Sequence, residues 1–175
     1  MIGLDALRRE ATPEASMLTI VTTAGSEYDA TCDFCRIVRR ELTARVVYET
    51  NDTLAFFPLE PATTGHTMII PKRHVANFLE LLPADFPQLG EATVRVARAL
   101  MVALGPDGMN VVSSAGRVAS QTVMHAHVHL VPRWPDDAVG EIWPTKKPTS
   151  AVVLDDTADA VREILNAEHL EERNY

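Results

Sequence analysis

The sequence has little cysteine. Cys32 and Cys35 are the only two in 175 residues. They stand three apart, so no disulfide framework staples the fold. Long apolar runs are missing as well. Nothing approaches the roughly 18–20 consecutive apolar residues of a membrane span. Nor does a basic stretch lead into an apolar run near the N-terminus; residues 17–21, interrupted by Thr19, are too short for a signal peptide. The expectation is a cytoplasmic protein with no membrane partner. Positive charge is also scarce. Lys and Arg number 16 against 24 Asp and Glu, a net charge of −8. That balance excludes a general nucleic-acid binder, which needs clustered cations.

What is present suffices for a core. The chain is 46% hydrophobic, which suits one ordinary globular domain and argues against general disorder. The acidity is uneven. Residues 1–30 sum to −3, residues 31–134 to +1, and residues 135–175 to −6. The middle is therefore open to a small anion.

Periodicity predicts a short helix over 34–42, with Phe34, Ile37, Val38 and Leu42 on one side. Runs 45–49 and 53–57 are β-prone, parted by the turn-like Asn51-Asp52. Residues 65–71 read as a buried strand. Leu89, Ala92, Val96, Ala99, Leu100 and Ala103 recur at helical spacing after Asp85, a candidate N-cap. The Gly105–Gly108 cluster stops that helix. Strands are expected over 109–113 and 123–132, joined by a loop over 114–121. Residues 151–154 read as a strand and 157–170 as an acidic helix.

Residues 124–132, Met-His-Ala-His-Val-His-Leu-Val-Pro, carry three of the six histidines. Alternation in a strand places His125, His127 and His129 on one face, roughly 6.6–6.8 Å apart. Ala126, Val128 and Leu130 face a core. That spacing is too wide for all three to reach one metal at roughly 2.0–2.1 Å. Phosphate handling fits better, because neutral imidazole is nucleophilic near neutrality and protonated imidazole holds anionic oxygens.

This row resembles the signature of the histidine triad (HIT) superfamily, His-x-His-x-His followed by apolar residues. Cys32-Asp33-Phe34-Cys35 is similar to the family's N-terminal Cys-x-x-Cys. Residues 61–74, including Gly65-His66 and Pro71-Lys72-Arg73-His74, resemble its central strand. Ser120-Gln121-Thr122-Val123 stands where relatives often have Gly-Gln-Ser/Thr-Val. The resemblance spans about 31–134, expected as the HIT domain, between an N-terminal extension over 1–30, partly disordered or lying against another subunit, and an acidic C-terminal extension over 135–175.

The resemblance implies an α+β fold, an antiparallel sheet of about five strands with one long and one short helix, usually as a homodimer. It implies a nucleotide hydrolase acting at the α-phosphate. His127 is then the nucleophile that forms a covalent nucleotidyl-histidine. His129 contacts phosphate oxygens, His125 supports His127, Thr122 helps bind phosphate or leaving group, and His66 stands behind the row. Ser114, Gln121, Phe56 and Leu59 are the further substrate-binding candidates. The substrate is a dinucleoside polyphosphate or nucleoside phosphoramidate. A phosphorolytic nucleotidyltransferase, or a nucleotide-binding regulatory or adaptor protein, are the alternatives. In zinc-bearing relatives the first triad histidine completes a metal set, which here is Cys32, Cys35, His74 and His125, holding structural Zn2+. Packed thiols and a redox pair are the other readings of the two cysteines.

Some residues depart from the family pattern. Pro58 replaces an Asp that in many relatives binds the ribose hydroxyls, and proline offers no side-chain hydrogen bond; Glu60 is a candidate substitute. Ser114 replaces a frequent Asn, and Ser120 a frequent Gly. Arg117 and Arg133 are either polyphosphate contacts or solvated, and Trp143 is a candidate rim residue.

Overall fold

Strand alternation builds two cores on one sheet. The structure, a computed structural model, describes residues 28–140, Ile142 and 149–172. Residues 1–27 and Trp143 lie outside the described residues. The elements of the first unit are α1 (Asp33–Val38), β1 (Arg45–Glu49), β2 (Thr53–Phe57), β3 (Thr67–Pro71), α2 (Phe86–Leu104), β4 (Gly108–Val112) and β5 (Val128–Arg133). The five strands form one antiparallel sheet in the order β1-β2-β3-β5-β4. The α+β expectation holds.

In β2 and β3 successive side chains point to opposite faces. Ala55 and Ile69 join Val128 and Leu130 against Leu89, Ala92, Val96 and Leu100 of α2. Leu54, Phe56, Met68 and Ile70 pack on the other face, against Cys32, Phe34 and Cys35 of the α1 region. Helix α2 ends where Gly105 adopts a left-handed conformation (φ 58°) and its N–H bonds the Met101 carbonyl at 3.1 Å. Asp85 sits at the N-cap position, but its carboxylate does not cap α2. It accepts from the Leu82 N–H and the Arg73 guanidinium.

Gly65, just before β3, has φ +80°, a conformation that side-chain-bearing residues rarely adopt. A Cβ there would also meet Leu104 Cδ1 at 2.3 Å, so that leucine's side chain would have to turn aside.

Three elements differ from expectation. Helix α1 stops at Val38, because Arg40 turns to φ 65° and the Arg36 carbonyl takes the Glu41 and Leu42 N–H groups. Strand β5 starts at Val128, so His125 and His127 precede the strand. There the Ala126 N–H leaves the sheet pattern for the Val75 carbonyl, at 2.6 Å. Residues 151–154 are helical, not extended. They open α3 (Ala151–Glu172) in the second unit, which begins at Val139. Ser150 Oγ accepts from the Val153 N–H at 3.3 Å, and this start signal overrides the β-branched pair Val152-Val153.

Candidate active site and metal centre

The end of β3, the segment before β5 and α1 converge around the histidines. His127 is buried, 5% exposed. Its Nδ1–H donates to the His125 carbonyl at 2.7 Å, so in the neutral ring Nε2 carries the lone pair. Among the described residues no fully buried side-chain nitrogen lacks a partner. The unpartnered His127 Nε2 therefore keeps contact with solvent. Ser113 Oγ donates to the His127 carbonyl at 2.8 Å and holds the backbone of this residue. Burial lowers the His127 pKa from its ordinary value, against the bond to the His125 carbonyl.

His66 and His129 form a second chain of bonds. The Ala62 N–H donates to His66 Nδ1 at 3.0 Å. The neutral His66 ring thus carries its proton on Nε2 and donates to His129 Nδ1 at 2.9 Å. His129 is left with its proton on Nε2. The His127 and His129 rings lie 4.7 Å apart at 78°. Burial, and next the charge that His127 can carry, push the His129 pKa down to about 4. Burial likewise lowers His66. The site thus offers a lone pair on one imidazole beside an N–H donor on the next.

His125 has a different role. It is fully buried, and its Nε2–H donates to the Pro71 carbonyl at 2.9 Å. Nδ1 then faces Cys32 Sγ at 3.5 Å and Cys35 Sγ at 3.6 Å. His74 Nδ1 lies 3.3 Å from Cys35 Sγ. The four ligand atoms of Cys32, Cys35, His74 and His125 all lie within 4.8 Å of one another. A tetrahedral zinc with ordinary bond lengths has sulfur–nitrogen edges of about 3.6 Å. The donor set fits the ion in type and in spacing. The Asp29 N–H points at Cys35 Sγ, and the Asp29 carboxylate lies 3.9 Å from His74 Nε2. Burial pushes the Cys35 thiol up to about 11. A cation among these sulfurs supplies what the thiols need to ionise.

Beside the histidines lies an apolar cleft of about 530 Å³. Phe34, Ile37, Leu42, Phe56, Met68 and Val123 line it, with Arg45, Pro58 and Leu59 at its edge. Phe34 belongs to both regions: its ring meets Phe56 and His127 at 5.4 Å each and His125 at 5.8 Å. Met68 lies opposite His129 across β3 and β5.

The remaining candidates fall into distinct places. Phe56 is buried and forms cleft wall and core at once, while Leu59 is exposed on the rim. Thr122 is exposed and Ser114 half-buried, both in segments flanking His127. The Gln121 amide is committed within the loop: Nε2 donates to the Ala76 and Val123 carbonyls, and Oε1 accepts from the Gly116 N–H. Gln121 therefore shapes the loop. Glu60 is exposed and does not line the cleft. Arg133 is held by Asp137 and Asn110. Ser113 and Phe34 escaped sequence reasoning as supports of His127. The place of Phe34 between the two cysteines was the available signal.

A family model described as HIT domain matches residues 39–136. The chain belongs to the HIT family. Among its HIT relatives, the adenosine 5′-monophosphoramidase HNT1 of Saccharomyces cerevisiae is 35% identical over 133 residues, covering 75% of this chain and 81% of that one. The crystal structure of SMU.412c from Streptococcus mutans superposes with a TM-score of 0.75 at 37% identity, covering 79% of this chain and 88% of that one. A zinc-bound histidine triad protein from Mycobacterium smegmatis superposes with a TM-score of 0.57 at 32% identity, covering 69% and 84%.

Proposed function

We propose that this HIT chain is a nucleotide hydrolase working at the α-phosphate through His127. One observation carries the reading: His127 presents an unpartnered Nε2 lone pair, in a tautomer set by its Nδ1–H bond, and its ring packs on Phe34, a wall of the apolar cleft. The cleft takes the base, and Phe56 and Leu59 contribute to its wall and rim. Nε2 attacks phosphorus, a P–N bond forms, and the bond to the leaving group breaks. Water then attacks the same phosphorus; the P–N bond breaks, the lone pair returns to Nε2, and a nucleoside monophosphate leaves. His129 Nε2–H donates to a phosphate oxygen as charge develops there. Thr122 and Ser114 hold the phosphate or the leaving group, and Gln121 keeps their loop in place.

Cys32, Cys35, His74 and His125 hold a structural zinc. With four protein ligands the ion has no open position for substrate. It contributes order, fixing α1 and the segment leading to His127. The named activity of the yeast relative, a phosphoramidase, supports a nucleoside phosphoramidate as substrate beside dinucleoside polyphosphates. The active form is a homodimer.

The test is a panel of nucleoside phosphoramidates and dinucleoside polyphosphates, with and without inorganic phosphate, followed by product identification. Release of nucleoside monophosphate is expected. Diphosphate products that appear only with phosphate assign a phosphorolytic transferase instead. His127→Ala is expected to lower turnover about a thousandfold or more while the folded state persists. Near-normal turnover in that variant overturns the nucleophile. Turnover of no panel member by zinc-loaded protein overturns the enzyme and leaves a binding protein.

A further inference from the structure

The end of the cleft away from the histidines has an unusual charge pattern. Four arginines fall in residues 36–45. Arg36 pairs with Asp33 at 3.2 Å, Arg39 with Glu41 at 3.0 Å, and Arg40 with Glu49. The Arg45 guanidinium has no hydrogen-bond or ion-pair partner among the described residues. It is also the one cationic side chain lining the cleft, and Asp33, already paired, is the one acidic side chain there. The one carboxylate lining the cleft is thus engaged by Arg36, and no second carboxylate stands beside Arg45 and Pro58 in that lining. Pro58 stands beside Arg45, one residue past its β2 partner Phe57, and has no side-chain polar atom.

The sheet sets the scale. Arg45 lies on β1 and His129 on β5, three strand steps apart in the order β1-β2-β3-β5. Three steps span about 14 Å. A ribose with phosphates at both of its ends, together with the arginine side chain, covers that span. A guanidinium without a carboxylate, beside a wall without an acceptor, matches a sugar that bears an anion in place of a free diol.

Resting on the nucleotide reading above, we propose that Arg45 forms a second anion subsite, and that the preferred nucleotide carries an additional phosphate on its ribose. The subsite discriminates by a charge-assisted, forked pair of bonds to that phosphate.

The test compares adenosine 5′-phosphate with adenosine 2′,5′- and 3′,5′-bisphosphates by calorimetric titration of the full chain. At least one bisphosphate is expected to bind about tenfold or more tightly than the monophosphate. Which one does so assigns the position of the second phosphate. Arg45→Ala is expected to bring that ratio close to one. Equal affinities in the wild-type chain, or a preference that survives Arg45→Ala, overturn the subsite while leaving the nucleotide reading intact. Failure of all three ligands to bind at millimolar concentration overturns both.

Discussion

At the scale of single residues, chemistry is set by which nitrogen holds the proton. Two backbone groups make that choice, the Ala62 N–H for His66 and the His125 carbonyl for His127. Burial then keeps the rings neutral. The His129 pKa lies near 4 in the folded chain, below the ordinary value of about 6.5 for an unfolded histidine. The unfolded chain therefore binds a proton that the folded chain refuses between those values. The stability linked to His129 is complete above pH 6.5 and is lost as pH falls toward 4. Imidazole NMR of the full chain is expected to show the His129 ring unprotonated down to about pH 4. A midpoint near 6.5 contradicts the buried, hydrogen-bonded pair. Ser120 adopts φ 69°, and its left-handed backbone carries the strain that a glycine would avoid.

At the scale of elements, α1 joins three tasks in six residues. Cys35 joins the cluster of metal-type donors, Cys32 leads into the helix, and Phe34 between them touches His125, His127 and the cleft. Removing the metal with a chelator is expected to lower the melting temperature by about 10–20 °C. It is also expected to weaken nucleotide binding, because Phe34 loses its anchors. Metal analysis near one zinc per chain accompanies the first result, and less than half an equivalent contradicts the site. Gly65→Ala is expected to destabilise the chain by about 1–3 kcal/mol in denaturant titration, since it forces a side-chain-bearing residue into a left-handed φ of +80°. The grouping of Cys32, Cys35, His74 and His125 was legible through the family resemblance, which joins one Cys-x-x-Cys pair to two histidines far along the chain, and the structure brings the four together. The start of β5 was not legible. Alternation is a local pattern, whereas the bond that frees residues 125–127 from the sheet runs to Val75, a partner 51 positions away. The fate of residues 151–154 turned on the hydroxyl of Ser150, which hydrophobic patterning does not weigh.

At the scale of the whole molecule, the inner faces of the sheet are complete but its outer features are not. Strand β4 is an edge, with Val111 exposed. Helix α2 turns Val94, Met101 and Val102 outward, at spacings of seven and eight residues, and Val102 is 88% exposed. These are the surfaces on which a second copy is expected to dock. Val102→Asp is expected to shift a dimer toward monomer in sedimentation analysis, and an unchanged mass contradicts that seam. Through the family resemblance, sequence reasoning reached the antiparallel sheet of about five strands with its long and short helix; the order of the strands and the division of the core between two faces emerge only in the structure. It did not reach the pairing of Arg133 with Asp137 or the isolation of Arg45, since an arginine's partner depends on side-chain reach across strands. The Ser113 hydroxyl, one residue beyond the end of β4, grips the carbonyl of His127. Any load placed on that edge strand therefore reaches the histidine row by two routes, the β4–β5 ladder that ends at His129 and the Ser113 bond to the His127 carbonyl.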